Sequence, residues 1–281
     1  MISVNIVDSN TEKVLEKAKL ELSILFTENG LSYFIFYRDE NKILGLKSFE
    51  FKKNEDYYNQ AASILSEIIE DENPYDLVRF VVADNKQTIV PEAIFDENNI
   101  ETYWQLNFET QSQTKLMHHY LNRAKSFIVF SVNESIETLF NNYRGKKTII
   151  PSSASFIDFN LKRNKLVENP ELERVYVQVY ENYMEVILLQ NHNLRLFNTF
   201  TYKSQNDLLY YIINLYEQLK ISQTDSELIL SGFVETNSLL ALNLKKFIKI
   251  VYFEARNTEY NYFYKFQDIA PHYYFYFLNI S

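Results

Sequence analysis

The segment "ENGLSYFIFY" at residues 28–37 has an echo 153 positions later, "ENYMEVILLQ" at residues 181–190. In each, a Glu-Asn turn follows a short apolar run and opens another. Whether the chain is one design written twice decides the fold. Outward from the first Glu-Asn, Leu22, Ile24 and Phe26 alternate before the turn, and "LSYFIFY" runs on as a second strand. "RDENK" turns again, and "ILGLKSFEF" (43–51) supplies a third strand. The period then changes. Tyr57, Tyr58, Ala61, Ala62, Leu65, Ile68 and Ile69 recur at helical spacing, one stripe of an amphipathic helix. This helix is expected to end at "EDENP" (70–74), and "LVRFVVA" (77–83) reads as a buried strand.

The second half follows the same order. Val175, Val177 and Val179 alternate, "YENY" turns, and "MEVILLQ" and "LRLFNTFTY" (194–202) follow as strands. Leu208, Leu209, Ile212, Ile213, Tyr216 and Leu219 mark a helix. With an offset of 151 after one two-residue gap, they fall on Tyr57, Tyr58, Ala61, Ala62, Leu65 and Ile68. "ELILSG" (227–232) then matches the strand after the first helix. Identities are few: Glu28/Glu181, Asn29/Asn182, Phe49/Phe200, Lys52/Lys203 and Asp56/Asp207. The order of elements and the phase of the helix stripe argue for duplication over accident.

Between the repeats, "SQTKLMHHYLNRA" (112–124) reads as a helix, "SFIVFSV" (126–132) as a strand, "ESIETLFNNY" as a helix and "KTIIP" as a short strand. "SSASFIDFNLKRNKLVENPE" (152–171) is polar enough to be the crossing between halves. The boundary is placed near residue 165, giving an N-terminal lobe over 1–165 and a C-terminal lobe over 166–281. After Gly232 come a helix around "NSLLALNLKKF", a strand "KIVYFEA" and an aromatic tail, "YNYFYKFQDIAPHYYFYFLNIS".

Composition narrows the classes. The 281 residues are 46% hydrophobic and 23% charged, ordinary proportions for a folded chain. A net charge of -9 argues against a nucleic-acid partner, which needs a basic field. The compact basic cluster Arg144-Gly145-Lys146-Lys147 reads as a solvated turn. Without cysteine there is no disulfide framework, thiolate metal site or thiol nucleophile. The N-terminus mixes acids with bases and lacks an apolar core of signal-peptide length. No apolar run approaches the roughly 18 residues that span a bilayer. A cytoplasmic protein without membrane insertion is expected. Only 4 glycines occur, whereas aromatics reach 16%. Phosphate-cradling loops use glycine so that the backbone approaches the ligand, so its scarcity counts against nucleotide chemistry.

Three antiparallel strands, a helix, then further strands and helices, done twice, resemble the plan of the actin-like ATPase superfamily. This α/β fold sets two pseudo-symmetric βββαβα-type lobes around a central cleft. With its "PHYYFYF" ending, the chain is similar to an uncharacterised bacterial family, a domain of unknown function with that fold. The resemblance implies an ATP cleft between the halves, each half offering an Asp-x-Gly turn between its first two strands. There the aspartates position a metal and the glycines let backbone N–H groups touch phosphate. Carried onto this chain, the turns fall at Leu25-Phe26-Thr27 and Gln178-Val179-Tyr180, where both aspartates and both glycines are missing. The adenosine-packing glycine motif leaves Ser231-Gly232, and Gly232 reads better as the turn glycine of a βα connection.

Thr27, Gln178, Tyr180, Ser231 and Gly232 are thus candidate cofactor positions of a degenerate cleft. Phe26 and Tyr180 are expected to fill the space that phosphates would take. A hydrogen bond to a charged group contributes roughly 1.5–3 kcal/mol. Losing two or three costs on the order of 4–8 kcal/mol, about a thousandfold or more in affinity. No cofactor and no hydrolysis by the superfamily's usual arrangement are expected.

Other chemistry is thin. His118 and His119, adjacent on an expected helix, point about 100° apart and cannot clasp one metal; His192 and His272 bring no metal-binding spacing. Asp84 in "VVADNK" reads as a turn residue and Asp158 in "SFIDF" is ambiguous. The serines of "PSSAS" (151–155) lack a partnering base. In an extended tail, Tyr260, Tyr262, Tyr264 and Phe266 share one face and Tyr273, Phe275 and Phe277 another. Tyrosine suits recognition surfaces, so Tyr260, Tyr262, Tyr264 and Tyr273 are candidate partner-binding residues, with a core or cleft-filling role as the alternative. The function expected is a non-catalytic interaction protein that binds a protein or peptide partner, with a homodimer as a candidate form. The alternative is a divergent ATP-binding ATPase or small-molecule kinase.

Overall fold

Apolar runs such as "LSILF" and "MEVILL" scarcely alternate with polar residues because both faces of their sheets are covered. The computed structural model describes residues 4–7, 19–69, 75–109 and 114–280. The expected helix end at 70–74 lies outside the described residues. The first sheet contains β1 (Asn5–Val7), β2 (Leu20–Thr27), β3 (Gly30–Tyr37), β4 (Lys42–Glu50), β5 (Tyr75–Val82) and β9 (Lys147–Pro151), with helix α1 (Tyr57–Ile68) between β4 and β5. Its order is β1-β4-β3-β2-β5-β9.

The second sheet is built from β10 (Arg174–Val179), β11 (Tyr183–Gln190), β12 (Asn193–Thr201), β13 (Glu227–Gly232) and β14 (Val251–Phe253). Helix α5 (Gln205–Leu219) precedes β13, and α6 (Leu239–Phe247) precedes β14. The order is β12-β11-β10-β13-β14. Without β1, both sheets read third, second, first, fourth, fifth, with the fourth strand parallel to the first. Individual hydrogen bonds repeat as well. Phe51 N–H donates to the Asn29 carbonyl at 2.8 Å, and Tyr202 N–H to that of Asn182 at 3.0 Å. Ala83 N–H reaches the Phe26 carbonyl and Phe233 N–H that of Val179, both at 2.9 Å. The chain is one design written twice, in two pseudo-symmetric lobes.

The first lobe carries an insertion between β5 and β9: β6 (Gln87–Pro91), α2 (Ile100–Gln105), β7 (Thr114–Leu121), β8 (Ser126–Asn133) and α3 (Glu134–Asn142). Here the sequence reading needs correction. The stretch 112–124, expected as a helix, is a strand where it is described. β7 pairs antiparallel with β8 from Thr114 opposite Asn133 to Leu121 opposite Ser126. Leu116, Met117, Tyr120 and Leu121 imitate a helical stripe, but an available strand partner overrides local preference.

A second correction concerns 152–171. The expected polar crossing begins as a helix, α4 (Ser152–Asn164), buried along most of its length. Its small residues Ser152, Ser153, Ala154 and Ser155 let it lie between the sheets and the tail, and the serines find partners there. Ser155 Oγ donates to the Tyr276 carbonyl at 2.5 Å and Asn160 Nδ2 to that of Phe156 at 2.8 Å. Arg163 forks onto the buried Glu254 at 2.6 and 2.7 Å.

The tail is not extended. β15 (Asn261–Tyr262) pairs parallel with β4, a 3-10 turn spans Tyr264–Asp268, and α7 covers Phe275–Leu278. Strand alternation sends Leu22, Ile24 and Phe26 of β2 into one core and Leu25 into another. The tail covers the second. Phe277 meets Phe34 edge-on at 4.9 Å and Tyr260 meets Phe36 at 5.4 Å. Much of the aromatic surplus is therefore packing. No described helix is long and apolar enough to cross a membrane.

Candidate functional site

Each lobe presents a two-residue hairpin tip where the superfamily resemblance places a phosphate turn. Thr27 opposes Gly30 across Glu28-Asn29, and Tyr180 N–H closes on the Tyr183 carbonyl at 2.9 Å across Glu181-Asn182. So short a loop leaves both side chains at the tip. Pseudo-symmetry sets the tips face to face, and they exchange contacts. Asn29 Nδ2 donates to Glu181 Oε2 at 3.0 Å, and Asn182 Nδ2 donates to Glu28 Oε2 at 2.8 Å. Each tip supplies one donor and one acceptor, so duplication of a single Glu-Asn pair suffices to build both bonds. The groups are exposed, and each bond contributes about 0.5–1 kcal/mol. Their geometric effect is larger than their energy: the two turns touch.

Beneath the tips lies a buried polar seam. Tyr180 stacks on Tyr183 at 4.4 Å, and its hydroxyl donates to Ser152 Oγ at 3.1 Å. Ser153 Oγ donates to Gln87 Oε1, and Gln87 Nε2 donates to Glu185 Oε1 at 3.2 Å. At the rim, Asn85 Nδ2 reaches Thr201 Oγ1 at 3.0 Å and Thr199 Oγ1 donates to the Asn85 carbonyl at 2.7 Å. Glu185 is fully buried and its Oε2 has no partner. Burial pushes its carboxyl up to about 8, against the opposing pull of the Gln87 hydrogen bond and of the neighbouring Tyr180 hydroxyl. Burial also holds the Tyr180 and Tyr183 hydroxyls well above the usual phenol range. Burial thus favours the protonated, uncharged form of all three groups at neutral pH.

The sequence-derived positions distribute as follows. Thr27 Oγ1 donates to the Gly30 carbonyl at 3.1 Å and closes its own turn. Phe26, expected in the phosphate space, instead points into the first lobe's core and stacks on Phe80 at 5.6 Å. Its position on β2 fixes this, one residue out of phase with Leu25 and Thr27, which line the cavity between the lobes. Tyr180 does lie between the lobes. Gln178 is buried and accepts from Ser231 Oγ at 2.6 Å.

Gly232 has φ of 81°, and a Cβ there would sit 2.1 Å from the Val179 carbonyl oxygen. Only glycine permits that approach. The Gly232 N–H donates to the His272 carbonyl at 2.9 Å, and His272 Nε2 contacts the Val234 carbonyl at 2.8 Å. The tail thus lies directly on this glycine. Of the four candidate partner-binding tyrosines, Tyr264 alone is exposed, at 66%. Tyr273 is buried with its hydroxyl on Glu235 at 2.8 Å, and Tyr260 and Tyr262 are half-buried.

The remaining candidates have structural roles. His118 and His119 sit on a strand, not a helix, and His118 packs on Phe95 at 5.2 Å. Among the described residues no group of His, Asp or Glu is arranged to hold a metal. Asp84 accepts from Lys86 N–H at 3.1 Å and Ser131 Oγ at 3.0 Å. Asp158 lies 3.5 Å from Arg123; burial raises its carboxyl and Arg123 opposes the shift. Lys147 is not a solvated turn residue: its ammonium donates to the Phe140 and Tyr143 carbonyls at 2.5 and 2.7 Å, capping α3. Sequence reasoning missed Glu185 and Gln87. The signal for Glu185 was present, a single acid within the apolar run "MEVILL".

Two facing lobes of this topology make up the actin-like ATPase fold; in this chain their first hairpins also touch. A Bacteroides thetaiotaomicron protein with an actin-like ATPase fold and unknown function superposes with a TM-score of 0.77 at 22% identity, over 85% of this chain and 92% of that one. A chain of the PilM–PilN type IV pilus biogenesis complex superposes with a TM-score of 0.65 at 11% identity, over 92% of this chain and 97% of that one. The chain belongs to the family described as protein of unknown function (DUF3822), whose model matches residues 9–251. No curated protein matches it.

Proposed function

We propose that the protein is a non-catalytic member of the actin-like fold that acts by binding a protein or peptide, its nucleotide cleft held shut. The reciprocal Asn29–Glu181 and Asn182–Glu28 bonds carry this reading. They join the two turns between which a triphosphate would have to lie, and they place carboxylates where phosphates would be repelled. The chain, divided near residue 165 in this reading, uses its lobes as a fixed platform, with the exposed Tyr264 on the tail as one contact. The likeness to a chain solved within the PilM–PilN complex supports a partner-binding role.

Thermal unfolding with Mg-ATP tests it. A ligand at a hundred times its dissociation constant stabilises by about 2.7 kcal/mol. The expected result is no change in Tm at millimolar nucleotide. A rise of several degrees, abolished by Gln178→Ala, would show a working nucleotide site and overturn the proposal.

A further inference from the structure

The lobes differ at one sheet edge. In the first, the outer side of β4 is covered by β1, with Asn5 opposite Lys47 and Ile6 opposite Leu46, and by β15, with Tyr262 beside Ile43. The counterpart of β4 in the second lobe is β12, also nine residues long. Among the described residues, β12 pairs with β11 alone. Antiparallel strands direct alternate residues toward their partner. The bond from Tyr202 N–H to the Asn182 carbonyl sets the phase, so that Phe200, Asn198 and Leu196 bond to β11. Phe197, Thr199 and Thr201 turn their backbone groups outward. The Thr199 N–H takes the side-chain oxygen of Asn198 at 2.8 Å, a local substitute for a missing strand.

Exposed edges are usually defended by lysine, proline or a covering segment. β12 has neither lysine nor proline, and its one charge is Arg195. We propose that this edge pairs with the β12 of a second copy, antiparallel about a two-fold axis at Asn198. In that register Leu196 faces Phe200, Asn198 faces its own copy, Phe197 faces Thr199 and Arg195 faces Thr201. Apolar groups oppose apolar groups on one face of the sheet, an amide meets an amide on the axis, and no like charges meet. Moving the axis to Phe197 would set Leu196 against Asn198 and lose that match. The self-complementary order of "LFNTF" favours a second copy over an unrelated strand. This inference is independent of whether the cleft binds nucleotide.

Light scattering of the full chain over a concentration series provides the test. The wild type is expected to reach dimer mass. Asn198→Lys, which places two ammonium groups on the axis, is expected to shift dissociation at least tenfold while leaving the far-ultraviolet circular dichroism spectrum unchanged. The chain has no cysteine, so Asn198→Cys supplies a single thiol that should cross-link to its copy under copper-phenanthroline oxidation. Tyr210→Cys, exposed on α5, should not. A wild type that stays monomeric at every concentration overturns the proposal and leaves the edge for another chain. A dimer that Asn198→Lys leaves intact and Asn198→Cys fails to cross-link overturns it in favour of a different interface.

Discussion

Replacing Glu185 by Gln should make the protein more stable, by an amount that depends on pH. The folded carboxyl keeps its proton up to about 8, while an unfolded one releases it near 4.5. Between those values the folded state binds more protons, so stability contributed at this position is fully present at acid pH and declines as pH rises. The span from 4.5 to about 8, at about 1.36 kcal/mol per pH unit, amounts to on the order of 5 kcal/mol. Because Glu185 is fully buried, solvent screening does not reduce that figure. Glutamine has the same shape, titrates nowhere in this range, and can still accept the hydrogen bond from Gln87. Urea unfolding of both proteins from pH 4 to 9 isolates the effect, since every other titrating group is shared and cancels in the difference. The variant should match the wild type near pH 4, exceed it by about 3 kcal/mol at pH 7, and by on the order of 5 kcal/mol above pH 8. A difference that stays constant between pH 5 and 8 would refute the reasoning and mean that Glu185 is ionised in the folded protein.

Gly232→Ala should cost roughly 3 kcal/mol or more in urea unfolding, because a Cβ at φ of 81° collides with the Val179 carbonyl; unaltered stability would show that the strand end relaxes freely. Phe277→Ala removes the ring that meets Phe34 and should lower stability by about 3–5 kcal/mol. Truncation before Tyr260 should go further, uncovering the first sheet's second face and yielding aggregated protein in light scattering; a well-behaved shortened chain would contradict a packing role for the tail. A double-mutant cycle on Asn29→Ala and Glu181→Ala should return a coupling of about 0.5–1 kcal/mol that shrinks with salt. Zero coupling at low salt would mean the tips do not engage in solution.

What the sequence determined by itself was the repeat. Short apolar runs between turn signals in 20–51 and 174–202, with the helix stripe in phase at Tyr57 and Leu208, specified two copies of one strand order, because run length, turns and order are local properties. Missing acids and glycines at the turns were also legible. Tertiary structure decided where those features face. The Glu-Asn pairs read as turn residues until a pseudo-two-fold opposed them, since a side chain's partner 152 residues away leaves no local trace. Phe26 entered the core and Thr27 stayed at the interface because one residue along a strand reverses the face. The segment 152–164 looked like a polar linker because its serines find their partners only once both sheets and the tail surround them. The stretch 114–121 became a strand because β8 offered an edge. In each case a long-range contact supplied the missing hydrogen bonds or apolar cover, and those energies outweigh local preference.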